Sequence, residues 1–181
     1  MRLEIHHKIG KNVCAELKEL GCQIHEKLFL AGNLFPDLIH SYLWCRHEYQ
    51  HSREYIRKKL QFLKKRPRLF SFHLGVLTHY ICDYFCYPHS SGYNKGLIRH
   101  IIYEIRQKVP KTFYRIRLSG TVFAGKASTI EELDTFVSWY ENFRTSFDDD
   151  ESDSHIAAMV ASAFAGAFTR APQRLAVRYM L

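Results

Sequence analysis

Apolar residues recur every three to four positions over most of the chain, the period of helices packed by one face. Ile5, Ile9, Val13, Leu17 and Leu20 share one face of a helix predicted over 4–20. Gly32-Asn33-Leu34-Phe35-Pro36-Asp37 reads as a turn, with Pro36 suited to a helix start, where its missing N–H is not needed. Residues 48–65 predict a basic amphipathic helix that ends before Pro67. Residues 69–86 predict a very apolar helix stopped by Pro88, and 94–108 a further one stopped by Pro110. Thr121 to Gly125, within 112–127, reads as a short strand or a loop. A helix over 129–146 follows, with Ser128 or Thr129 as its N-cap and Glu131 and Glu132 in its first turn. Asp148 to Asp153 reads as an acidic loop. It leads into a helix over 155–169, whose Ala157, Ala161, Ala165 and Gly166 imply close packing on a neighbour. A last short segment, 172–180, is also predicted helical. Strand signals are weak and no repeat is present, so the expected fold is all-α, one multi-helix domain over 1–181.

Composition narrows the class. A chain of 181 residues with 46% hydrophobic and 14% aromatic content can fill one core, and its mixed-sign charges exclude global disorder. The net charge of +8 favours anionic partners: phosphate esters, nucleic acid or an acidic lipid surface. The first residues are too polar for a signal peptide, and no apolar run reaches membrane-spanning length, which predicts a cytoplasmic protein. Five cysteines without an export signal argue against a disulfide framework. Cys82 and Cys86 lie four apart on a predicted helix, and small buried apolar residues are favoured over a metal pair there.

The histidines carry the chemistry. There are eleven, and all but His155 lie in the first 100 residues. His79 and Asp83 are four apart, so on a helix they share a face and can bind one ion. Pro88-His89 follows the helix end, where a turned chain can bring His89 to the same cavity. His100 and Glu104 form a second pair four apart. Two such pairs with an intervening Pro-His resemble the ligands of a dinuclear site inside a helical bundle.

His79-x-x-x-Asp83-x-x-x-x-Pro88-His89 followed by His100-x-x-x-Glu104 resembles the signature of the zinc-dependent phospholipase C and single-strand-specific nuclease superfamily. Gly32-Asn33-x-x-Pro36-Asp37 is similar to that family's G-x-x-x-P-D turn, and His6 with Gly10 is similar to the histidine that opens its first helix. The resemblance covers residues 1–104. It implies an all-helical fold around two or three zinc ions and hydrolysis of phosphate esters. It also implies three ligand sets. The first is Asp37, His51, His79 and Asp83, with His47 and His40 near enough to replace His51. The second is His89, His100 and Glu104. The third is His6, with His7 as its rival, the α-amine and carbonyl of Met1, and Asp83 as a bridge. His73 is expected as a core or ligand-orienting histidine, and His25 and His155 as structural or exposed.

Zinc ions about 3.5–4 Å apart make a shared water acidic, so a hydroxide between them can attack phosphorus at neutral pH. The resemblance gives Asp37 the role of orienting or deprotonating that water. A phospholipid head group or another phosphodiester is the expected substrate. The basic run from Arg53 to Arg68 is compatible with membrane-surface contact or with nucleic acid. The alternatives are an intracellular nuclease or phosphodiesterase acting on single-stranded nucleic acid, and a non-catalytic zinc-binding protein.

Overall fold

A computed structural model describes residues 1–39, 47–90, 93, 96–107, 128–144 and 150–169, with the backbone alone at 143, 144, 150 and 151. Among these residues there are seven α-helices and no strand: α1 Leu3–Glu19, α2 Glu26–Leu38, α3 Tyr49–Lys64, α4 Phe70–Tyr84, α5 Gly96–Arg106, α6 Ile130–Arg144 and α7 Asp150–Thr169. A short 3-10 turn, Tyr87–His89, follows α4. The fold is all-α, as the periodicity predicts. The segments 112–127 and 172–180, together with His40 and Cys45, lie outside the described residues.

The apolar helix α4 is the axis of the bundle. Every residue from Leu74 to Tyr84 is buried, and α2, α7, α3 and α1 pack around it. This all-round burial follows from a sequence with hardly any polar face. It also forces His79 and Asp83 into the interior. Helix α1 buries Ile5, Ile9, Val13 and Leu17 in one stripe, and His6 and Gly10 lie on the same buried face. Cys14, Cys22, Cys82 and Cys86 are buried and unpaired, the apolar role expected of Cys82 and Cys86.

Two sequence expectations are corrected. Residues 32–37 do not form a turn, and Pro36 does not start a helix; both lie within α2. Proline removes one hydrogen bond from the last turns of α2, and packing on α4 outweighs that loss. Of the acidic stretch from Asp148 to Asp153, residues 150–153 are not a loop but the opening of α7, and 148 and 149 lie outside the described residues. The expected cap at α6 takes the form of a capping box. The Glu132 backbone N–H donates to Thr129 Oγ1 (3.3 Å) and the Thr129 backbone N–H donates to Glu132 Oε2 (2.9 Å).

Helices α2 and α4 touch backbone to backbone. A Cβ on Gly32 would sit 2.0 Å from the Phe72 carbonyl oxygen, and one on Gly75 would sit 2.0 Å from that of Phe29. Neither obstacle is a side chain that can swing away. Gly75→Ala is therefore expected to destabilise the fold by about 3 kcal/mol or more, measured by urea denaturation. Wild-type stability in that variant would contradict the close approach. The same contact sets the distance between Asn33 and His79, which matters below.

Candidate metal centre

Three groups of ligand-type side chains converge around Asp83: His6, His79 and Asp83; Asp37, His47 and His79; and His89, His100 and Glu104. Within each group the donor atoms lie within 4.8 Å of one another. Asp83 is fully buried and stands at the junction. Its Oδ1 accepts from the Met1 ammonium at 2.8 Å and lies 3.1 Å from His6 Nε2. Its Oδ2 lies 2.7 Å from His47 Nδ1 and 3.3 Å from His79 Nε2. The Met1 nitrogen also approaches His89 Nε2 and Glu104 Oε1, each at 3.2 Å, and so joins the third group to the other two. The rings of His6 and His79 stack with centroids 4.0 Å apart.

The polar atoms are crowded but poorly satisfied. His6 Nδ1, His47 Nε2, His79 Nε2 and Asp83 Oδ2 are buried without an aligned hydrogen-bond partner. Buried donors and acceptors are ordinarily paired, so such a concentration calls for another occupant. Imidazole nitrogens and carboxylate oxygens are the donors zinc takes, and the set fits that ion.

Burial and mutual contact set the charges. Burial opposes ionisation of Asp83, but the Met1 ammonium and His6, His89 and His79 hold its carboxyl well below the usual range. Burial likewise opposes the Met1 ammonium, yet Asp83 foremost, with help from Glu104, holds that amine well above its ordinary value. Burial lowers His6 to about 3, and the His79 ring adds to the effect. His47 goes the other way: burial is outweighed by Asp83, so its value is raised. Glu104 is lowered to about 2, burial being overcome by its hydrogen bond with His100 and by the Met1 ammonium. Burial raises Asp37.

The sequence model of the family described as zinc-dependent phospholipase C matches residues 5–164. The chain belongs to that family. No curated protein and no solved structure matches it. Membership accords with the helical fold and with zinc as the metal these groups would take, and supports a zinc-dependent, phospholipase C-like activity in general terms.

Of the residues that the family resemblance singles out, the structure brings together Met1, His6, Asp37, His79, Asp83, His89, His100 and Glu104. His51 stands apart. Its side chain is 52% exposed on α3 and lies 3.3 Å from Glu48 Oε2. His47 takes the place beside Asp37 and His79, from the bend just before α3. His7 is not among the converging groups. His73 lies on α4 away from them, near Lys59, with Nδ1 and Nζ 3.5 Å apart.

Two further residues shape the site without appearing in the expected ligand sets. Asn33 is fully buried on α2, one turn before Asp37. Its carbonyl oxygen lies 2.9 Å from His79 Nδ1, and its side-chain amide donates to the His6 carbonyl. A carbonyl only accepts, so Nδ1 carries the proton and the neutral ring keeps Nε2 free as a donor to metal. Asp153, buried on α7, accepts at Oδ2 from the Tyr87 backbone N–H (3.2 Å) and from the Tyr103 hydroxyl. It thereby fixes the turn that carries His89 and the helix that carries His100 and Glu104. The expected consequence at Asn33 is specific. Asn33→Ala unties α1 from α2 while leaving every ligand-type side chain in place. The backbone carbonyl on His79 Nδ1 stays, and only the amide bond to the His6 carbonyl is lost, so zinc binding should weaken by about 10-fold, the low end for an outer partner, as read by competition with a chromogenic chelator. Unchanged affinity would show that the Asn33 amide has no part in placing His6.

Proposed function

We propose that this chain is a zinc-dependent phosphoric ester hydrolase, phospholipase C-like, that holds up to three zinc ions around Asp83. The observation that carries this reading is the shared carboxylate: one buried aspartate touches Met1, His6, His47 and His79 at 2.7 to 3.3 Å. A structural ion pair needs one partner, and four partners around one carboxylate are the arrangement of bridged metals. Asp37, His47, His79 and Asp83 would hold one ion; His89, His100 and Glu104 a second; and Met1, His6 and Asp83 a third.

When bound, zinc supplies Lewis acidity toward phosphoryl oxygens and a water that ionises near neutral pH. The protein's own groups do the rest. His79 is oriented by Asn33, and Asp83 is held ionised in a dry interior. Asp37 is 27% exposed, against none for Asp83, so it is the carboxylate of its group that solvent reaches. From there it can orient the attacking water or take its proton. The net charge of +8 favours an anionic ester.

The test is a substrate panel with and without chelator: a chromogenic phosphodiester, phosphatidylcholine and single-stranded DNA. Chelator-sensitive hydrolysis of phosphatidylcholine is expected. Turnover of DNA alone would make the chain a nuclease, and bound zinc without turnover of any substrate would make it a non-catalytic zinc protein.

The charge states also fix a pH dependence. The Met1 ammonium must lose its proton to become a ligand, and so must protonated His47. Zinc affinity is therefore expected to rise with pH. The His47 set should weaken on acidification at a pH above the ordinary histidine value of about 6.5, because its proton is held more tightly than usual. His6, lowered to about 3, competes for its own proton only far below that. Calorimetry in buffers of different ionisation enthalpy checks this; zinc uptake with no proton release would contradict it.

A further inference from the structure

The large apolar side chains that remain exposed are not scattered. Among the described residues, most lie within three positions of a candidate ligand. On α2, Phe35, Leu38 and Ile39 flank Asp37. On α5, Leu97, Ile98, Ile101, Ile102 and Ile105 are all between 41% and 74% exposed. Helix α5 buries none of its residues, yet its pattern is strongly two-sided. Leu97, Ile101 and Ile105 form one row along it, and Ile98 and Ile102 form the next. His100 and Glu104 form the adjoining row on one side. The exposed Arg99 and Arg106 lie along the far edge. Tyr103, on the opposite side, donates to Asp153 and so turns the apolar rows outward. Arg2 Nη1 donates to the Gln107 carbonyl (3.4 Å), which sets the exposed Leu3 beside the end of α5.

An apolar stripe edged with arginine is the composition of a helix that lies in a membrane interface. We infer that α5, with the Phe35, Leu38 and Ile39 edge of α2, seats the mouth of the metal centre in the surface of a lipid bilayer. The inference rests on the proposed hydrolase reading only in that a phospholipid phosphate would then be held at the level of the ligands. The charge favours an anionic leaflet, because the stripe contains no carboxylate and is bordered by Arg99 and Arg106. A second copy of the chain on the same rim would cap His100 and Glu104, which adjoin the stripe, and close the centre to its substrate.

The experiment is flotation of the zinc-loaded protein with phosphatidylcholine vesicles, with and without phosphatidylglycerol. The wild type is compared with the triple variant Leu97→Gln, Ile98→Gln, Ile105→Gln. These are the most exposed apolar side chains on the helix, and glutamine keeps its helix propensity. The wild type should float, more so with phosphatidylglycerol. The variant should bind vesicles at least about tenfold more weakly, since three apolar insertions are lost. Its zinc content and its hydrolysis of a soluble chromogenic phosphodiester should stay at wild-type levels. Equal flotation of both proteins, or of neither, overturns the inference. So does a wild-type dimer in sedimentation that the triple variant splits, because the rim would then belong to a second copy. Flotation needs no turnover. Vesicle binding by a protein that hydrolyses nothing would retain the membrane surface and remove the hydrolase; hydrolysis without flotation would do the reverse.

Discussion

Asp83→Asn is expected to lose the two zinc ions that share this carboxylate and to abolish activity. The substitution keeps the shape of the side chain and removes one negative charge from a fully buried position. In wild type that charge faces the Met1 ammonium at 2.8 Å and touches three imidazoles at 2.7 to 3.3 Å. An amide can bridge neither two ions nor an ammonium and a metal. Even an outer hydrogen-bond partner of a ligand is worth about 10- to 100-fold in metal affinity, so loss of the shared carboxylate should exceed about 100-fold. Removing one partner from a buried charge cluster also costs about 3–5 kcal/mol of stability. Asp37→Asn is the contrast. Asp37 belongs to one group only and is part-exposed, so that variant should lose a single ion and leave the fold near wild-type stability. The two variants are compared by elemental analysis and thermal denaturation. If both lose the same amount of zinc, Asp83 is not the junction.

Blocking the amine of Met1 is expected to have the second largest effect. That nitrogen is buried, 2.8 Å from Asp83 and 3.2 Å from both His89 and Glu104. One glycine placed before Met1 turns the amine into an amide, which has no charge and no lone pair for a metal. The added residue also has to find room beside a Met1 that is only 5% exposed. The glycine-extended protein should contain one zinc ion fewer than the chain that starts at Met1. Its turnover should fall by about 10- to 100-fold, as for a lost site-orienting group. A glycine-extended protein with unchanged zinc and unchanged rate would exclude the amine from the centre.

The parts of this site that were legible in the sequence are those fixed by helical period. His79 and Asp83, and His100 and Glu104, are pairs at i, i+4, and any helix puts them side by side. The apolar stripe of α1 likewise places His6 inward with Ile5 and Ile9. What was not legible lies where the period breaks. His47 and Glu48 form a bend ahead of α3, where no helical wheel assigns a direction, so the spacing that the family resemblance implies pointed to His51, which the structure leaves exposed. Residues 32–37 of α2 read as a turn in the sequence because Gly32, Asn33 and Pro36 are all poor helix formers. The energy that overrides them comes from α4, whose backbone needs Gly32 and Gly75 for close approach. The role of Asn33 depends on that contact, since its carbonyl reaches His79 only across the α2–α4 interface. The opening of α7 was hidden for a similar reason: an acidic run resembles a loop until the turn after α4 supplies the Tyr87 N–H, and α5 the Tyr103 hydroxyl, as partners for Asp153.

The central claim is that three groups of side chains joined by one buried aspartate form a zinc centre. Metal stoichiometry tests it most directly. Elemental analysis of the purified chain with a free Met1 amine should give three zinc ions per molecule, one for each converging group. A folded protein that contains no zinc, and takes up none when zinc is supplied, would contradict it.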